Sequence, residues 1–234
     1  MKDGDLDSIC KLAKERSIAI YLGIIERPID RGGHSLYCTL VSIDKYGVIQ
    51  STHRKIRPTY EERLVWSPGN GHGLVTHKLE EFTVGGLNCW ENWMPLSRTA
   101  LYAQGENVHI AVWPGSVRNT VDITPFRAKE SRSYSIGVCG LFGRAQITND
   151  IPHSDLIQEK CPIHLADGGT CIAAPNGDWI IKPIEMEEGL FTADLENQKV
   201  YEERQNFDPV GHYSRPDITK LSVNRERQSV IEFK

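Results

Sequence analysis

Short apolar runs recur along the chain, and helical patterns separate them. Strand-like segments fall at Ser17–Ile25, Ser35–Ile43, Gly47–His53, Phe82–Cys89, Val108–Trp113 and Ser135–Phe142. Several are apolar on both faces, so each needs cover above and below. Helical periodicity opens the chain, where Leu6, Ile9, Cys10, Leu12 and Ala13 share a face and Asp5 or Asp7 can cap. It returns at Leu96–Gln104, Pro125–Tyr134, Ser154–Lys160 and Asn197–Arg204. Two further strands, Thr170–Ala174 and Trp179–Pro183, flank the turn pair Asn176-Gly177, and another is expected at Leu190–Leu195. Alternating strands and helices of this kind specify an α/β layered fold.

Composition excludes several classes. The 234 residues are 39% hydrophobic and 25% charged, which suits a soluble core of useful size. The net charge of −4 is spread without a basic stripe, so nucleic acid is not expected as a partner. The longest apolar runs, such as IAIYLGII (18–25), are far too short for a membrane span. The opening MKDGDLDSICKLAKERS has no apolar core of a signal peptide, and a cytoplasmic location is expected. Six cysteines fit no zinc spacing and no dense disulfide scaffold. Cys161 and His164 form a lone C-x-x-H, too little for a metal site. No cofactor is expected.

Two stretches carry chemistry. In GLNCWENW (86–93), Cys89 closes a strand, and a strand end is where a nucleophile is presented at a sheet edge. The competing reading is a buried structural thiol. A reactive thiol wants a nearby cation, which Glu91 is not. HRKIRPTYEER (53–63) offers one: Lys55 follows a strand, ahead of Pro58. Glu61 or Glu62 can pair with it, and spacing does not choose between them. Trp90, Trp93 and Trp113 are candidate walls of a substrate pocket, with core or interface packing as the alternative.

HRKIRPTYEER followed by GGLNCWENWMPLSR resembles the nitrilase branch of the carbon–nitrogen hydrolase superfamily. GIIERP (23–28), SLYCTL (35–40), RTALYAQG (98–105), GGTCIAAPNGD (168–178) and FDPVGHYSRPD (207–217) are similar to family segments in family order, so the resemblance spans the chain. The C-W-E form at 89–91 is similar to nitrilases more than to the amidase branches. The resemblance implies a four-layer α-β-β-α sandwich, taken as one domain over 1–234 with about 207–234 as a tail in subunit contacts. It implies Cys89 as nucleophile, Lys55 as catalytic lysine and Glu62, not Glu61, as supporting glutamate, with Trp90 and Trp113 kept as pocket residues. It further implies a small-molecule nitrile substrate, no metal or organic cofactor, no membrane, and a homo-oligomer. The family's water-activating glutamate lies upstream of all these motifs, on a Phe-Pro-Glu-like strand end; this sequence starts at a helix resembling the one before GIIERP, without the opening strands and helices. The catalytic set is therefore expected to be incomplete and activity doubtful. Glu26, in GIIERP, matches a non-catalytic segment. An amidase or nitrile-hydrating relative, and an inactive subunit acting as an interaction module, are the alternatives.

Overall fold

A computed structural model describes residues 4–229 and Ile231. The chain forms two compact units, residues 1–106 with 210–234, and Asn107–Pro209.

In the first unit, helix α1 (Asp7–Arg16) leads into β1 (Ile20–Glu26), β2 (Tyr37–Ile43) and β3 (Ile49–Arg54). These three strands are antiparallel in the order β1-β2-β3. Leu6 and Ala13 of the α1 segment are buried against Val41 and Ile43, with Ile9, Cys10, Ile20, Leu22 and Ile24 packed around them. Leu12 falls outside this face and is exposed. The N-terminal cap is Leu6 without a side-chain bond, so neither Asp5 nor Asp7 serves, although Asp7 still places negative charge in the first turn. Ser17 is left-handed and ends the helix, which delays the strand to Ile20. The β2–β3 turn is held by Asp44, whose carboxylate accepts the N–H groups of Tyr46 and Val48 at 2.9 Å each. A short β4 (His77–Leu79) pairs with β5 (Phe82–Asn88), and α2 (Pro95–Tyr102) follows with Pro at its first position. Leu87, Ala100, Leu101 and Leu74 form a second buried cluster, to which Ile56 and Val223 add.

The second unit starts with β6 (Val108–Trp113), then α3 (Val117–Thr120), α4 (Ile123–Ser131) and β7 (Tyr134–Cys139), with β6 and β7 parallel. The expected strand through Phe142 breaks after Cys139; a separate β8 (Leu141–Gly143) follows. Next come α5 (Ser154–Lys160), β9 (His164–Ala173), β10 (Trp179–Glu185) and α6 (Asn197–Asn206). β9 lies antiparallel between β7 and β10, and its first half pairs with β8. Residues 190–195 are not a strand: they have no ladder partner and Leu190 is 91% exposed. The apolar letters there misled, because alternation alone does not supply a sheet edge to join.

At one end of the three-stranded sheet the Arg54 guanidinium is buried in a carboxylate pair. Its Nε and Nη2 each donate to Glu26 at 2.8 Å, Nη2 donates to Asp30 at 3.0 Å, and the group lies 4.5 Å from the centre of the Tyr37 ring. Thr39 Oγ1 donates to Glu26 as well, at 2.8 Å. Burial works against the Glu26 carboxylate, but the bonds from Arg54 and Thr39 outweigh it and hold its pKa below the usual range. Asp30 is held low by its Arg54 bonds, against a smaller burial effect. Arg54→Met leaves Glu26 buried without its cation, and a broken buried pair costs about 3–5 kcal/mol. Both folded-state pKa values are depressed, so this stabilisation is present at neutral pH and is lost as pH falls through those lowered values. Urea denaturation of wild type and Arg54→Met across pH should show a gap that closes in acid.

Candidate active site

β3 ends at Arg54, and Lys55 is the next residue. Its N–H still bonds Cys38 O of β2 at 2.8 Å, which fixes the backbone as the strand runs out. Lys55 is only 1% exposed, although lysine is rarely buried unless paired. Its Nζ donates to Glu62 Oε2 at 2.5 Å and to Thr59 Oγ1 at 3.2 Å. Glu62 is aimed by its own turn: Oε2 also accepts the Thr59 N–H at 2.7 Å at the start of the short 3-10 turn Tyr60–Leu64. Glu61 is exposed on the same turn. Burial alone would lower the Lys55 pKa; the Glu62 bond and the neighbouring negative charges overcome it, and the net shift is upward.

The long loop after Lys55 closes over this strand end by backbone contact. A Cβ on Gly69 would stand 2.1 Å from Arg54 O, and one on Gly73 would stand 2.4 Å from His53 Cα. Glycine is required at both because no side chain fits between loop and strand. Gly69 N–H donates to Lys55 O at 2.8 Å.

Cys89 begins the turn Cys89–Trp93 that follows β5. Its φ is +54°, a left-handed conformation that costs a non-glycine residue about 1–3 kcal/mol. The turn is held from within: Asn92 Nδ2 donates to Cys89 O at 2.8 Å, and Glu91 accepts the Asn88 N–H at 2.9 Å. Glu91 reaches across as well, accepting Ile56 N–H at 2.5 Å and His53 Nε2–H at 3.0 Å. Lys55 and Cys89 are thus brought together at the ends of β3 and β5, near enough that each shifts the other's titration.

The thiol is not activated in the way the sequence suggested. Burial pushes the Cys89 pKa up, and that effect exceeds the downward pulls of the Lys55 charge and the Trp90 N–H; Glu62 and Glu91 add to the rise. Cys89 is 6% exposed, which is the cause. Trp90 is 48% exposed beside it, whereas Trp93 is 42% exposed and Trp113, at the end of β6 in the second unit, is buried. Glu26 is committed to Arg54 and Thr39. All six cysteines are free thiols, and among the described residues no cluster of three or more His, Cys, Asp or Glu side chains is placed to hold a metal. No helix among them is long and apolar enough to cross a membrane.

Sequence reasoning missed His53, Thr59 and Glu91 as parts of the site. A signal existed for two of them. Thr59-x-x-Glu62 and Asn88-x-x-Glu91 are both capping patterns, and the first also selects Glu62 over Glu61.

The mixed α/β fold thus holds a buried lysine–glutamate pair beside a cysteine in the left-handed conformation. The carbon–nitrogen hydrolase family model matches residues 3–205, and the chain belongs to that family. It is 33% identical over 233 residues to Nitrilase 2 from an unknown prokaryotic organism, and 31% identical over 233 residues to an aliphatic nitrilase of Rhodococcus rhodochrous. These alignments cover 98% and 94% of this chain, which spans 71% and 59% of the two relatives. The fold is similar to that of a carbon–nitrogen hydrolase from Helicobacter pylori G27, with a TM-score of 0.72 at 16% identity over 92% of this chain and 74% of the other. It is also similar to a glutamate-to-glutamine mutant of the amidase from Nesterenkonia sp. AN1, with a TM-score of 0.64 at 18% identity over 87% of this chain and 73% of the other. In that mutant amidase, acrylamide has undergone Michael addition at the active-site cysteine.

With its pKa raised, Cys89 is a protonated thiol at neutral pH. Its alkylation rate should climb with pH beyond the ordinary thiol range without a plateau at neutrality. Lys55→Met removes the cation that draws the titration down, so the profile should move further up. Peptide-resolved iodoacetamide kinetics over a range of ~6 to ~11 in pH measures both.

Proposed function

We propose that the chain carries a nitrilase site: R–C≡N and two waters give R–COOH and NH₃. The observation that supports this most is the Lys55 ammonium, buried on Glu62 and within electrostatic reach of the Cys89 thiol. The C-W-E form at Cys89–Glu91 and the nitrilase names of the relatives point the same way. Cys89 Sγ forms a bond to the nitrile carbon as its proton passes to the nitrogen, giving a thioimidate. Negative charge builds on that nitrogen, and Lys55 is placed to stabilise it. Water then adds to the thioimidate; loss of ammonia leaves a thioester, which a second water cleaves to acid and free thiol. Glu62 holds Lys55 in place, and Trp90, half-exposed and next to Cys89 in the chain, is taken as a pocket wall. Trp113 is kept as a second pocket residue on sequence grounds. The same adduct can lose the thiol instead and yield an amide, so amide release is the second reading.

Each water step wants a base, which typically contributes about 100- to 10,000-fold. Glu26 is tied to Arg54 and is not placed to serve as that base. In the chain of residues 1–234 as tested, the covalent step is expected to outrun turnover. An inactive subunit that works by association is the limiting case, and exposed Tyr213 and Ile218 on the 207–234 tail support subunit contacts. A cytoplasmic homo-oligomer acting on a small nitrile without cofactor completes the proposal.

Intact-protein mass spectrometry with aliphatic and aromatic nitriles, run beside ammonia and amide assays, tests it. An adduct should form on Cys89, ammonia release should be slow, and Cys89→Ala should abolish both. Lys55→Ala should cost about 3–4 kcal/mol in the rate of adduct formation. Replacement of Cys10, Cys38, Cys139, Cys161 or Cys171 should leave the adduct intact. A Cys89→Ala protein that still forms adduct or ammonia at the wild-type rate would end the nitrilase reading; fast ammonia release by wild type would show a base within this chain.

A further inference from the structure

Glu91 has no part in the reaction sequence above, yet it is buried and bonded at both halves of the site. Its Oε1 accepts the N–H of Ile56, the residue after Lys55, at 2.5 Å. Its Oε2 accepts the N–H of Asn88, the residue before Cys89, at 2.9 Å. A carboxylate is rigid and planar, so these two bonds fix the ends of β3 and β5 relative to each other. The third bond, 3.0 Å from His53 Nε2, fixes the carboxylate; since its oxygens only accept, Nε2 carries the proton. His53 is 2% exposed under Gly73, and its Nδ1 has no partner among the described residues, so the ring is held by packing and by Glu91.

We infer that Glu91 is a positioning residue, supported by His53, that sets the spacing of Cys89 and Lys55 by bridging the backbone N–H groups next to each. The inference rests on the proposed function only in taking Cys89 and Lys55 as the reacting pair.

Position and charge make opposite predictions. The groups facing Cys89 are Lys55 and the Trp90 N–H, which draw its titration down, and Glu62 and Glu91, which push it up along with burial; Cys38 shares the neighbourhood. If Glu91 acted by charge alone, neutral Glu91→Gln would lower the titration and speed alkylation. If it acts by position, the amide NH₂ meets a backbone or imidazole N–H, one tether becomes a donor facing a donor, and Lys55 moves away from the thiol. Displacements of ~1 Å cost positioned groups up to about 100-fold.

The experiment is iodoacetamide alkylation of Cys89, resolved by peptide mapping, across pH on wild type and Glu91→Gln, with folding checked by the urea transition. The expected result is alkylation roughly tenfold or more slower at neutral pH, with the profile moved to higher pH. Unchanged or faster alkylation in a folded Glu91→Gln protein overturns the inference. If that variant does not fold, His53→Phe and His53→Gln decide. Phe removes the donor to Glu91 and should slow alkylation several-fold, while Gln keeps an N–H and should restore much of it. A His53→Phe profile matching wild type overturns the inference. Alkylation needs no nitrile, so a wild-type chain that forms no nitrile adduct, yet shows these shifts, would sink the proposed function and leave this inference standing.

Discussion

The buried Lys55 ammonium is the constraint around which the site is organised. An unpaired ammonium in that position would cost several kcal/mol of desolvation, so a carboxylate has to reach it. Glu62 does so at 2.5 Å, and Thr59 supplies a second acceptor. The glycine-bearing loop can then press its backbone against His53 and Arg54, excluding water from the strand end. Ion pair and loop depend on each other: without Glu62 the loop would cover a bare charge, and without the loop the pair would be a weak exposed one.

The same burial decides the state of Cys89. A thiol in a dry site resists ionisation, and the Lys55 charge recovers only part of that penalty. Under the proposed function, Lys55 would serve less to generate a resting thiolate than to meet charge that appears as the thiol attacks, which suits a substrate such as a nitrile whose own nitrogen accepts the thiol proton.

Two glutamates do related structural work. Glu62 and Glu91 each sit three residues after the residue that caps a short turn, accept that residue's backbone N–H, and use the remaining capacity on the site. Glu62 uses it to hold a side chain, Lys55; Glu91 uses it to hold a backbone, Ile56, and a ring, His53. Further along β3, Arg54 ties down the same strand end through Glu26 and Asp30, so the lysine is delivered from a segment anchored on both flanks.

The α/β class and most elements were legible in local patterns. Val108–Trp113 and Ser154–Lys160 have the predicted bounds, because local periodicity and turn residues such as Asn176-Gly177 act over a few positions. Residues 190–195 failed, since a strand needs a partner that only the fold provides. Cys89 was legible as a strand-end thiol and Lys55 as a cation to set beside it, and the pairing of Lys55 with Glu62 was encoded in Thr59-x-x-Glu62. The raised thiol, the commitment of Glu26 to Arg54 and the bridge made by Glu91 were decided by tertiary structure. Desolvation and hydrogen bonds between residues 28 to 38 positions apart depend on which groups the packed strands bring together, and no local pattern carries that information.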